Sequence, residues 1–407
     1  MFYFLRNYIN HISPHSMKKI SRALYLIIAA LFITSACSTS KSGETNGNDS
    51  TGSAAEAATK VYPDTATLIF FGDAMQHQMQ FDQAKKLGTA ANPYNYDDCF
   101  TLLTPALKDA DYSVVNLELP LGGGTDYSGY PQFSAPDSYA IALKNAGFDL
   151  CLTSNNHCLD RRDRGLRRTL DVLDSLKIDH IGTYRNAAER TRLVPFVKEI
   201  NGMKVGFLNY TYGTNGISAS DGAEVAYIDK EKIKQEIEAT RKAGAEIIVA
   251  MPHWGIEYVL TENESQRDLA NFLRKEGVDI VIGGHPHVVQ PMKVFTDSVS
   301  GNRQLVVYSL GNMISNMTKA NTRGGALVRV VIERDKNTGK VKFRNAEYDT
   351  FITEVPSGGK TNFRVVPSWD IAKLPESQKS NWTQHNNTVQ DLYDKHNVDV
   401  PRSKKKY

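Results

Sequence analysis

The stretch Asp279-Ile280-Val281-Ile282-Gly283-Gly284-His285-Pro286-His287 decides the fold. A short apolar run stops at two glycines and then delivers two imidazoles one residue apart. A run of this length bounded by glycines reads as a buried strand. Neutral imidazole is the commonest side-chain metal ligand. The glycines permit a sharp turn and a close backbone approach, and Pro286 fixes the path between the two rings. One His-x-His is a weak sign alone, so its weight depends on whether the same grammar recurs.

It recurs five times. The run 67–71 enters Gly72-Asp73; Ser113-Val114-Val115 enters Asn116-Leu117-Glu118; the run 149–152 enters Ser154-Asn155-Asn156-His157. Further on, 247–251 enters Pro252-His253-Trp254-Gly255, and 305–308 enters Ser309-Leu310-Gly311-Asn312. Between these runs the spacing is helical. Leu102, Leu103, Ala106 and Leu107 share a face, a short helix is expected over 140–146, and Leu166, Leu170, Leu173 and Leu176 form a stripe. Ile233 and Ile237 follow a cap at Asp229, with Gly244 closing the helix. Leu269, Phe272 and Leu273 follow a capping box expected at Thr261 and Glu264, with Gly277 at the end. The runs 194–199 and 205–209 read as a hairpin about Asn201-Gly202, and 327–333 with 341–347 as paired strands. After Ser368 the periodicity fades. Strands alternating with helices give an α/β sheet, and ligands of such sheets gather beyond the carboxyl ends of the strands.

Taken singly, these side chains have ordinary roles. Asp73 can cap a helix, Glu118 can be a surface carboxylate, Asn156 and Asn312 can hold turns, and His253 can pack in a core. His77 and His180 are read in that way, although His77 lies close to Asp73 in sequence. At successive strand ends, however, Asp73, Glu118, Asn156, His157, His253, His285 and His287 amount to a centre. Two or three oxygens with four imidazoles exceed one tetrahedral site and suit two borderline divalent ions, Mn, Fe or Zn. Such a pair can bind a phosphate ester and activate a water near neutral pH.

The motif series Gly72-Asp73-Ala74-Met75, Asn116-Leu117-Glu118, Ser154-Asn155-Asn156-His157 with Leu159-Asp160, His253-Trp254-Gly255, His285-Pro286-His287-Val288-Val289-Gln290 and Ser309-Leu310-Gly311-Asn312 resembles that of the CapA family. These are bacterial capsule-synthesis proteins of the poly-γ-glutamate type, related to calcineurin-like metallophosphoesterases. The resemblance covers roughly residues 67–316. It implies a layered αββα sandwich of two central mixed sheets flanked by helices. It implies Asp73, Glu118, Asn156, His253, His285 and His287 as metal ligands, with Glu118 bridging or supporting the pair. His157 with Asp160 becomes the acid or electrostatic clamp, and Asn116, Trp254 and Asn312 the substrate-binding positions. Two departures stand out: Met75 occupies the place of a ligand histidine in ordinary metallophosphoesterases, and Glu118 replaces an aspartate.

The amino terminus reads as a leader. Met17-Lys18-Lys19-Ile20-Ser21-Arg22 is basic, 23–33 is an apolar run of signal-peptide length, and Thr34-Ser35-Ala36-Cys37 resembles a bacterial lipobox. The expectation is a lipoprotein of the cell envelope, tethered to a membrane through a lipid on Cys37. Residues 38–62 are rich in Ser, Thr, Gly and Asn and read as a flexible linker. The CapA-type domain is placed at 63–350 and a carboxyl-terminal extension at 351–407. Hydrophobic content of 41%, charge of 23% and a net charge of +3 are ordinary for a globular chain. The basic run 402–406 reads as a solvated tail, and no basic stripe suggests nucleic acid. Cys99, Cys151 and Cys158 read as small buried thiols.

The functional expectation is a metal-dependent phosphoesterase-type hydrolase or transferase acting on phosphorylated or polyanionic envelope material, with capsule-assembly proteins as possible partners. The competing reading is a non-catalytic component that binds polymer in the same cleft. A third, hydrolysis of a γ-glutamyl or peptidoglycan amide, has no separate support in the residues.

Overall fold

The computed structural model describes residues 63–125 and 127–407. The leader, Cys37 and the linker lie outside the described residues. Strands come in chain order as β1 (Thr65–Ala74), β2 (Tyr112–Leu117), β3 (Leu150–Leu152), β4 (Asp179–Ile181), β5 (Thr183–Tyr184), β6 (Phe196–Ile200), β7 (Met203–Thr211) and β8 (Glu224–Val225). They continue as β9 (Ile247–His253), β10 (Ile280–Ile282), β11 (Val289–Thr296), β12 (Arg303–Leu310), β13 (Asn312–Ile314), β14 (Gly324–Arg334), β15 (Val341–Glu354) and β16 (Arg364–Pro367).

One sheet has the order β16-β15-β14-β1-β2-β3-β4, with β13 added beside the end of β1; a second has the order β11-β12-β10-β9-β7-β6. Both are mixed. β1 to β4 pair in parallel while β14, β15 and β16 run antiparallel, and β12, β10, β9 and β7 are parallel between antiparallel edges.

Alternation along each central strand shows how the sheets meet. Leu68, Phe70, Val114, Ile247, Val249 and Met251 belong to one cluster drawn from both sheets. Their neighbours Ile69, Phe71 and Val115 join Tyr139, Ala140 and Leu143 of the helix Asp137–Ala146. Ile248 and Ala250 join Ile233 and Ile237 of the helix Lys230–Lys242 and Leu269 and Leu273 of the helix Glu264–Lys275. Since side chains alternate with period two, the first group is the core between the sheets and the others lie under the outer helices. The result is the layered αββα sandwich expected. Strands buried on both faces read as unbroken apolar runs, which is why they were visible as such.

Three local expectations change. The helix Glu264–Lys275 is capped by Asn263, whose Oδ1 accepts from Gln266 N at 2.9 Å while Gln266 Oε1 accepts from Asn263 N at 3.0 Å; Asn263, not Thr261, stands immediately before the helical turn. The segment after Ser368 is organised: the helix Lys379–His396 sends Val389, Leu392 and Tyr393 into the inter-sheet core. The basic tail is docked, not free. Ser403 N donates to Tyr348 O at 2.7 Å, Lys405 pairs with Asp109, and the Tyr407 ring packs 4.8 Å from Trp369. Cys99, Cys151 and Cys158 are free and buried. Among the described residues no helix is long and apolar enough to cross a membrane.

Candidate metal centre

The carboxyl ends of β1, β2 and β3 in one sheet and of β9 and β10 in the other meet at one edge of the sandwich. β1 ends in Asp73-Ala74, β2 runs into Glu118, β9 ends in His253, and β10 leads through Gly283-Gly284 to His285 and His287. All five of these polar side chains are buried. They form two overlapping triads, Asp73 with Glu118 and His253, and Glu118 with His285 and His287, each holding its ligand atoms within 4.8 Å of one another.

Glu118 is the shared member. Its Oε1 lies 3.6 Å from His253 Nε2 and 3.8 Å from His287 Nε2, and it has no hydrogen-bond partner. The Nδ1 of His285 is likewise buried without a partner. Polar atoms of this kind cost about 1–3 kcal/mol each when orphaned, so two in one cluster mark a place for a bound group. Borderline divalent ions fit this donor set of carboxylates and imidazoles.

Neighbouring amides aim the ligands. Asn116 Nδ2 donates to Asp73 Oδ1 at 2.8 Å and to Glu118 Oε2 at 3.3 Å, while its own oxygen accepts from Asn155 at 3.1 Å. Asn312 Oδ1 meets His287 Nδ1 at 2.9 Å, and Asp73 Oδ2 lies 3.3 Å from the same nitrogen. That leaves His287 Nε2 facing Glu118, the usual arrangement in which a ligand histidine gives its other N–H to an oxygen. Asn156 Oδ1 lies 2.8 Å from His253 Nε2, so the two candidate ligands face one another.

Electrostatics within the cluster are strongly skewed. Burial, then the adjacent Asp73, pushes the Glu118 carboxyl well above the ordinary range. Burial also works against ionised Asp73, but the His287 hydrogen bond and the His253 and His287 charges outweigh it and hold it below that range. Burial pushes His253 down to about 3 and His285 to about 2. His287 rises to about 9 because Glu118 and Asp73 overcome its burial. The carboxylates thus call for positive charge at this point.

The backbone of the organising stretch carries strain. His285 has φ +97° and His287 φ +58°, a region that non-glycine residues rarely adopt and that persists where the surroundings over-determine it. The two glycines act through proximity instead. A Cβ on Gly283 would sit 2.1 Å from Tyr308 O, and one on Gly284 2.9 Å from Asp73 Oδ1.

His157 Nδ1 lies 2.8 Å from Asp160 Oδ2, which also accepts from Phe133 N at 2.7 Å; the Phe133 ring packs edge-on at 4.6 Å. With Nδ1–H given to Asp160, Nε2 is the nitrogen left to exchange a proton. Asp160 therefore orients His157 and stands away from the ligand cluster.

The positions expected to bind substrate are placed otherwise. Asn116 and Asn312 spend their hydrogen-bonding groups on protein partners, and Trp254 is buried in the outer core with its indole N–H on Tyr308 O at 2.9 Å. They position ligands or pack. Met75 is buried in the other outer core and supplies no ligand. His77 Nδ1 accepts from Asn316 N, and His180 pairs with Asp174. Asn155 and Phe133 were missed as supports. Asn155 stood inside a quoted motif, whereas nothing around Phe133 in sequence marks it.

A family model described as "Bacterial capsule synthesis protein PGA_cap" matches residues 67–317. The PGA biosynthesis protein CapA of Bacillus subtilis (strain 168) is 26% identical over 294 residues, covering 71% of this chain and 73% of that one. The capsule biosynthesis protein CapA of Bacillus anthracis is 27% identical over 282 residues, covering 67% of this chain and 65% of that one. Among solved structures, the NAD nucleotidase of Haemophilus influenzae superposes loosely, with a TM-score of 0.42 and 11% identity over 82% of this chain and 57% of that one.

Proposed function

The chain belongs to the CapA family of bacterial capsule synthesis proteins, related to the calcineurin-like metallophosphoesterases, and from that premise we propose that it is a metal-dependent phosphoester hydrolase or transferase acting on capsule or envelope polymer. The observation that carries this reading is Glu118 Oε1, buried, unpartnered and shared by two ligand triads. A pair of divalent ions held in part by Glu118 would give that oxygen its partner. Asp73, His253 and Asn156 would hold one, and His285 with His287 the other.

Such ions supply a nucleophilic water at neutral pH and positive charge beside the phosphoryl oxygens. The protein's own part is positional. Asn116 fixes both carboxylates, Asn312 fixes His287, and Asp160 takes the Nδ1–H of His157 so that Nε2, protonated in the imidazolium form, can give its proton to the departing oxygen and leave the neutral ring. We place the protein at the cell envelope, anchored through Cys37, on the support of the basic and apolar leader and the cysteine that follows it.

Elemental analysis of protein purified without chelator, followed by hydrolysis of bis(p-nitrophenyl) phosphate, tests the proposal. About two equivalents of Mn, Fe or Zn with turnover support it. Less than one equivalent after reconstitution, with no turnover, overturns it. Met75 favours the second reading, a polymer-binding or export-assembly component with a reduced site. Loss of turnover in Glu118→Ala and His157→Ala with polymer binding kept separates the enzyme from that alternative.

A further inference from the structure

A cavity of about 180 Å³ opens between the segment 318–323, which joins β13 to β14, and the helix Lys379–His396. Lys319, Asn321 and Arg323 line it from the first, and Asn381, Gln384 and His385 from the second. No aspartate or glutamate is among the described residues that face it. The His385 imidazole is buried, 5% exposed, and neither Nδ1 nor Nε2 has a hydrogen-bond partner. Its ring is backed against β14, where a Cβ on Gly324 would sit 2.7 Å from Nε2. The nearby Gly325 backbone interacts with the ring but closes no hydrogen bond. An imidazole carries an N–H in either protonation state, and a buried donor without an acceptor calls for one.

The two cations are open to an anion as well. Arg323 gives only its Nε, to Met317 O at 3.3 Å, and its two terminal nitrogens stay available. Lys319 rests its Nζ on the Tyr258 ring at 3.7 Å, a contact that cancels no charge. Among the described residues neither forms an ion pair. Two uncancelled charges, a buried unpartnered imidazole and three side-chain amides, with no acid among them, are the donor set of an oxyanion site. The size suits one group, since pockets for whole drug-sized ligands run to about 300–1,000 Å³. None of these residues is a candidate metal ligand, yet the same segment reaches the centre: Thr322 O accepts from Asn312 Nδ2 at 2.9 Å, and Asn312 holds His287.

We propose that this cavity is an anion site apart from the metal centre, holding one phosphate or carboxylate group between Arg323, Lys319 and His385, whether or not the centre is catalytic. The group comes either from free phosphate or from a side-chain carboxylate of a polymer. Calorimetric titrations with inorganic phosphate and with a γ-linked oligoglutamate, at fixed ionic strength, test it in both metal-loaded and chelated protein. The variants are Arg323→Gln and Gln384→Glu. The second sets a carboxylate at an exposed position of the helix without touching the core, so it decides the matter if Arg323→Gln does not fold. Each is expected to weaken binding roughly 10- to 100-fold, equally with and without metal. A loss confined to phosphate identifies free phosphate as the source, and a loss for the oligoglutamate identifies the polymer; either upholds the site. Unchanged binding of both probes by Gln384→Glu overturns it, as does chelated native protein that binds neither. A loss seen only in the metal-loaded protein also overturns it, because that anion would sit at the metal centre.

Discussion

Replacing Glu118 with glutamine separates what this residue does for the fold from what it does for a metal. The carboxyl is wholly buried, Oε1 has no partner, and Asp73 presses on it electrostatically. In metal-free protein the group is a liability: an orphaned buried polar atom costs about 1–3 kcal/mol, more when charged. Glutamine keeps the volume, keeps an oxygen for Asn116, and can present an N–H to the imidazoles near 3.6 and 3.8 Å. The chelated variant should therefore be more stable than the chelated native protein, by about 1–2 kcal/mol. With metal the order reverses. Native protein at free metal a hundredfold above Kd gains about 2.7 kcal/mol, and the variant loses most of that gain because both triads share the missing carboxylate. Urea denaturation of each protein with EDTA and with Mn measures the crossing. A variant less stable under both conditions would show that Glu118 is an ordinary packed carboxyl. Full metal stabilisation of the variant would refute its role as the shared ligand.

His157→Ala should lower kcat about 10²- to 10⁴-fold with metal content retained, and Asp160→Asn should do so by less while altering the pH profile; kinetics beside elemental analysis separate this from loss of the centre. Burial pushes His385, on the helix Lys379–His396, down to about 4. The unfolded chain then binds the extra proton first, so the stability from neutral His385 is complete above about pH 6.5 and is lost as pH falls toward 4. That amounts to about 2 kcal/mol between pH 7 and 5, and in urea titrations His385→Leu should lack this slope. A Cβ at Gly72 would lie 1.9 Å from the Gly311 carbonyl oxygen, backbone against backbone. Gly72→Ala should cost about 3 kcal/mol or more by overpacking and loosen the register of Asp73 with Asn312. Gly213→Ala, where nothing lies within 4 Å, should change the urea midpoint little.

The candidate ligand residues were legible because each follows or ends an apolar run. Strands buried on both faces give that signal without help from their neighbours, and the polar residue that follows has no packing role to explain it. What such runs cannot say is which sheet a strand joins. Phe70 and Val249 look alike in sequence, yet they belong to different sheets and meet across the core. The helix Lys379–His396 was invisible for a related reason: it buries His385, Val389, Leu392 and Tyr393 along an otherwise polar surface, too thin a stripe to stand out. Asn116, Trp254 and Asn312 were expected beside substrate through the family resemblance, and Trp254 directly follows the candidate ligand His253. Adjacent residues of a strand face opposite ways, so with His253 turned to the candidate centre the next ring lies in the outer core.

The strained backbone was beyond reach of sequence for a stronger reason. Nothing in the sequence around His285, His287 or Tyr258 marks a positive φ, and all three adopt one within a single hydrogen-bonded corner: Tyr258 N on Pro286 O, His285 N on Asp73 Oδ2 at 3.2 Å, His287 Nδ1 on Asn312. At of order 1–3 kcal/mol apiece, three such residues would open the turn if those bonds were its only restraint. An ion held by His285, His287 and Glu118, as proposed above, would add a restraint on this turn. It follows that metal removal should loosen this corner before the sheets, read as faster amide exchange at Tyr258 and His285 with β9 and β12 still protected. Equal protection with and without metal would mean that the packing alone holds the turn.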